Sequence, residues 1–143
     1  MRYLLSKISF LFLLVLLFVL SPAYPQTDSF PKADSKKMML LQASMCEGIK
    51  NLLPHNQAIV FSVKTGKVFC YTSLDPVPEK TFIYHNWFYN DKLSTSIKLY
   101  LKPPRWASYS SIKLRESDKG SWRVEITDSE GVVLRVLRFS ITD

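Results

Sequence analysis

The sequence predicts an all-β domain preceded by an export signal. Three observations carry this: short β-branched and aromatic runs, turn residues between them about every ten positions, and a first apolar run that ends at small residues.

Arg2 and Lys7 are the positive charges ahead of and at the start of an apolar run, Ile8 to Leu20, broken only by Ser9. The run is about 13 residues long, short of the roughly 20 that span a bilayer. Ser21-Pro22-Ala23 then supplies the small residues a signal peptidase reads. Residues 1–23 are therefore expected to be a cleavable signal peptide, with a periplasmic or secreted product. An uncleaved segment would be the only membrane contact. Residues 24–37 carry Pro25, Pro31 and polar side chains and read as a linker, leaving 38–143 as the folded domain.

Within 38–143 the first segment, Met38–Leu53, mixes helical and strand periods, and a strand is expected around Ser44–Ile49. Leu53-Pro54-His55-Asn56 reads as a turn. Ala58–Val63 and Lys67–Ser73 flank Lys64-Thr65-Gly66, which predicts a hairpin with a three-residue loop. Lys80–Tyr89 and Leu93–Lys102 flank Asn90-Asp91, two residues that tolerate positive φ. Leu93, Thr95, Ile97, Leu99 and Leu101 alternate with polar or exposed neighbours, the pattern of a strand with one buried face.

Pro103-Pro104 ends that strand, since proline cannot donate to a ladder. Ala107–Leu114, Ser121–Thr127 and Val132–Thr142 complete the set. Trp122, Val124 and Ile126 share one face. In the last strand Leu134 and Val136 point one way and Leu137, Phe139 and Ile141 the other, which predicts a bulge near Val136. Seven or eight strands of this length predict an immunoglobulin-like antiparallel β-sandwich.

The chain carries 19 Lys and Arg against 12 acids, net +7, or +5 once Arg2 and Lys7 are removed. Such a surface suits anionic partners, acidic glycans among them. Cys46 and Cys70 are the only cysteines, and in an oxidising compartment they could form one disulfide or stay as buried thiols. Neither a metal nor a cofactor is expected: the two histidines, His55 and His85, have no further ligands at matched spacing. The serines lack a nucleophile-elbow context, and four glycines leave no phosphate-cradling loop. The enzymatic alternative is a hydrolase using His85 as general base.

Aromatic residues offer the more promising surface. Trp87, Tyr89, Trp106 and Tyr109, with Arg105, fall in neighbouring elements and form the expected ligand-binding set, able to stack on sugar rings or hold partner side chains. The expected function is a non-catalytic envelope binding module for a glycan, peptidoglycan or protein. A structural accessory of an envelope complex is the alternative, and export argues against nucleic acid.

Five motifs in order carry a resemblance: His85-x-Trp87, Arg105-Trp106, Ser110-Ser111, Gly120-x-Trp122-Arg123-Val124, and Gly131 with Phe139. Together they resemble the bacterial family catalogued as domain of unknown function 2914, over roughly Ala43–Asp143. The resemblance implies an extracytoplasmic β-rich domain with no assigned activity.

Overall fold

The computed structural model describes residues 37–143. The signal segment 1–23 and, but for Lys37, the linker 24–37 lie outside the described residues.

Nine strands follow in order: β1 (Leu40–Lys50), β2 (Leu53–Gln57), β3 (Val60–Ser62), β4 (Lys67–Leu74), β5 (Thr81–Tyr89), β6 (Lys92–Leu101), β7 (Trp106–Lys113), β8 (Gly120–Thr127) and β9 (Val133–Thr142). They form two sheets of a sandwich. Sheet A runs β2-β1-β4-β7 and sheet B runs β3-β9-β8-β5-β6. The predicted sandwich is therefore found, with nine strands in place of seven or eight.

The extra strand is β2. Leu53-Pro54-His55-Asn56 is not a turn: it pairs with β1, Lys50 opposite Leu53 and Gly48 opposite His55. The turn lies one step earlier, at Asn51 and Leu52, both at positive φ. Proline is tolerated here because β2 is an edge strand.

The predicted hairpin at Lys64-Thr65-Gly66 is also corrected. β3 pairs in parallel with β9, while β4 pairs with β1 and β7 in the other sheet. The Ser62 hydroxyl accepts from the Lys64 N–H at 3.1 Å and starts a 3₁₀ turn over Val63–Thr65. Gly66, at φ 76°, ends it. This corner carries the chain across the sandwich instead of folding it back on itself.

The β5–β6 hairpin is as expected, with Asn90 and Asp91 at φ 44° and 63°. The β9 irregularity is found too: Ile126 pairs with Arg135 and Thr127 with Val133, so Leu134 is the extra residue.

Val68, Cys70 and Leu74 from sheet A meet Ile83, Trp87, Val124, Ile126 and Phe139 from sheet B in one core. Of the two alternatives for Cys46 and Cys70, the structure has the second: both are buried free thiols. Met45 is the residue opposite Cys70, and Cys46 lies opposite Phe69. Side chains alternate along a strand, so the two thiols leave opposite faces of sheet A. Burial pushes both thiols up from their ordinary values.

Candidate binding site

The predicted ligand-binding residues are not brought together. Trp87 is fully buried in the core. Tyr89 is a packing residue: its hydroxyl donates to the Lys119 carbonyl at 2.8 Å and its ring lies 4.8 Å from that of Trp122. Tyr89 closes β5, whereas Trp106 lies beyond Leu101, the partner of Thr81 at the other end of that strand. Eight residues at about 3.3 Å each separate the two ends of β5. Tyr109 is exposed on the outer face of sheet A, edge-on to Phe69 at 6.0 Å. The set was legible as aromatic but not as dispersed, because alternation along each strand sends neighbours to different faces.

The family motif residues His85, Trp87 and Ser110 meet instead inside the sandwich. His85 and Trp87 lie two apart on β5 and face the core, and Ser110 reaches them from β7 of the opposite sheet. Trp87 Nε1–H donates to Ser110 Oγ at 3.1 Å. Ser110 Oγ lies 2.8 Å from His85 Nδ1, and His85 Nε2 lies 3.4 Å from Thr72 Oγ1. Thr72 donates its own proton to the Ser108 carbonyl at 3.3 Å.

With the Thr72 proton so committed, Nε2 of His85 must be the donor to Thr72 and Nδ1 the acceptor from Ser110. Each donor proton is then used once, in a single direction from Trp87 to Ser108. Burial pushes the His85 imidazole down to about 3, keeping it neutral. It contacts hydroxyls and no carboxylate, and no solvent reaches it. The reading of His85 as a hydrolytic base is therefore corrected: this is an inter-sheet lock.

Trp122 and Arg123 separate in the same way. Trp122 is buried, donates Nε1–H to the Asp118 carbonyl at 2.7 Å and stacks near Phe139. Arg123 points outward over the Phe88 ring at 4.0 Å and pairs with Glu125 and Asp91. Ser111, half-buried, lies opposite Phe69 in the β4–β7 ladder.

Arg105 and Trp106 do line a concavity, about 730 Å³ in volume, on the outer side and end of sheet A. Its other walls are Leu41 of β1, Leu52 and Leu53 of the β1–β2 hairpin, Tyr71, Ser73 and Leu74 of β4, Asp75, and Ala107 of β7. Leu41 sits at a register shift in β1, between Leu40 opposite Leu74 and Gln42 opposite Ser73. Asp75 and Arg105 face each other at 3.6 Å across the rim. They are brought there by two loops joined at Val77 N–H to Pro104 carbonyl, 2.7 Å.

Leu41, Leu52 and Leu53 are all exposed, Leu52 at 70%. Leu52 also holds φ 59°, a left-handed conformation unusual for a bulky residue. Sequence reasoning missed these leucines. They lie in Met38–Leu53, where the apolar spacing fits neither period cleanly.

No curated protein matches the chain. In fold it is similar to an immunoglobulin-like protein from Pseudomonas aeruginosa, with a TM-score of 0.52 at 12% identity, covering 76% of this chain and 99% of that one. Its sequence from β5 into β9 matches a family model, a narrower span than the motifs suggested, with β1 to β4 outside it. Residues 80–141 match the model of the family described as protein of unknown function (DUF2914).

Proposed function

We propose that this protein is an exported, non-catalytic binding module that seats an apolar segment of a partner protein in the groove bounded by Leu41, Leu52, Leu53, Tyr71 and Trp106. The observation that supports this most directly is Leu52. A bulky apolar side chain at the tip of a two-residue hairpin, at positive φ and exposed to water, is unfavourable on both counts for the isolated fold. Contact with a partner removes the second penalty and accounts for tolerance of the first.

The groove chemistry favours a protein segment over a glycan. Leu41, Leu52, Leu53 and Leu74 supply much of its lining, and leucine gives no hydrogen bonds to sugar hydroxyls. The Asp75–Arg105 pair on the rim is exposed, so it contributes little to stability and is available to orient a polar flank of the partner. Export rests on the charge and apolar pattern of residues 1–23.

The test is recovery of envelope proteins on the tagged full-length chain, beside Leu52→Asp and Trp106→Ala. Lys64→Ala, in the 3₁₀ corner, serves as a control. A partner held by the wild type and the control, and released by both groove variants while their urea melts stay cooperative, supports the groove. A partner held equally by all four rejects it.

A further inference from the structure

The outer face of sheet B carries a second surface of different chemistry. Phe82 and Tyr84 of β5 and Lys98 and Tyr100 of β6 are outward-facing neighbours, with Phe82 opposite Tyr100 and Tyr84 opposite Lys98. The Lys98 ammonium lies 3.7 Å from the Phe82 ring centre, 5.3 Å from Tyr100 and 6.0 Å from Tyr84. Tyr100 is 67% exposed. Beside these rings is a concavity of about 400 Å³ bounded by Lys80, Phe82, Tyr100 and Lys102. That volume lies within the range of small-molecule sites, about 300–1,000 Å³.

Charge sets this shelf apart. Its lining includes no carboxylate. Among the described residues the ion pairs engage Arg105, Arg115, Lys119 and Arg123, and none engages Lys80, Lys98 or Lys102. Lys98 therefore lies over open aromatic rings, and Lys80 and Lys102 line the concavity beside them, with no ion-pair partner for any of the three. Ring faces attract ammonium groups but do not neutralise them, so the local field stays positive.

We infer that this shelf binds an anionic saccharide. A sugar ring stacks on the exposed Tyr100, and its carboxylate, sulfate or phosphate meets the Lys98 ammonium, with Lys80 and Lys102 at either side. The observations favour a saccharide over a lipid surface. The cations surround a concave aromatic floor the size of a small ligand, whereas a bilayer is met by a broad basic face. The shelf adjoins the groove of sheet A at Lys102, whose ammonium lies 5.6 Å from the ring centre of Trp106, and its rings and Lys98 belong to sheet B.

The experiment is calorimetric titration of the full-length chain with a galacturonic-acid hexamer, and with maltohexaose as its neutral counterpart. Saturable binding of the acidic hexamer, weakened by added salt, with no binding of the neutral one, is expected. Lys98→Ala and Tyr100→Ala should each weaken it roughly tenfold while keeping the wild-type urea midpoint. Binding unchanged by both substitutions, or equal binding of the two hexamers, overturns the inference. So does no binding of the acidic hexamer together with Lys98-dependent capture on phosphatidylglycerol vesicles. Loss of binding on Leu52→Asp would place the saccharide in the groove instead, and overturn it too.

Discussion

Ser110 Oγ stands 2.8 Å from His85 Nδ1, and this contact joins the two sheets through the middle of an otherwise apolar core. Ser110 serves two partners at once, accepting from Trp87 and donating to His85. Three family-motif residues are thereby explained by packing and polar satisfaction, with no ligand invoked.

Ser110→Ala should lower stability by roughly 2–4 kcal/mol, because it leaves a buried indole N–H and a buried imidazole nitrogen without partners. Urea unfolding should show a reduced midpoint at unchanged slope. A loss below about 0.5 kcal/mol would mean that the hydrogen bonds around Ser110 contribute nothing net.

Stability should fall with acid through His85. Unfolded, its imidazole titrates near 6.5; folded, it is held down to about 3. Between those values the unfolded chain binds the extra proton, so stability is complete above about pH 6.5 and is lost as the pH drops towards 3, by up to about 1.4 kcal/mol per unit. His85→Gln should flatten that slope in urea melts taken across the interval. An unchanged slope would assign the acid sensitivity to carboxylates.

Cys46 and Cys70 should both resist iodoacetamide in the native protein, being buried with thiols pushed up from their ordinary values. Unfolding in urea without reductant should then admit two labels, read by intact mass. No labels under those conditions would establish a disulfide and require β1 or β4 to shift.

Leu52→Gly should stabilise the fold by about 0.5–1 kcal/mol, since Asn-Gly suits a turn with both central residues at positive φ. The same change should weaken retention of a groove partner. A more stable protein that also binds less would mark Leu52 as kept for contact, whereas unchanged retention would remove it from the site.

Trp122→Ala should cost roughly 3–5 kcal/mol by opening a cavity between Tyr89 and Phe139 and freeing the Asp118 carbonyl. A urea midpoint close to wild type would show that Tyr89 and Phe139 close over the gap.

The sequence was most legible where local chemistry and tertiary fate agree. Asn90-Asp91 between two alternating runs gives a hairpin whichever sheet it joins. Trp122, Val124 and Ile126 reach the core because β8 is central. The corner at Gly66 was misread because a loop of this length and glycine position fits a hairpin and a sheet crossing equally. Only the pairing of β3 with distant β9 separates them. β2 was hidden by Pro54 and by Asn56, which holds φ 53° within the strand. For the site, composition identified aromatic and basic side chains, but their grouping depends on cross-strand register. Register placed Lys98 opposite Tyr84, and the packing of one sheet on the other placed Trp87 against Ser110.

β7 lies inside the stretch 80–141 that matches the family, yet its ladder partner β4 lies upstream of that stretch. A fragment cut at residue 80 would keep β5, β6, β8 and most of β9 as one layer and strand β7 alone over it. Val68, Cys70 and Leu74 would be missing from the facing layer. The matched segment is thus a stretch of shared sequence and not an excisable folding unit. Any graft, truncation or expression design that aims at a cooperative domain has to begin upstream of Leu40.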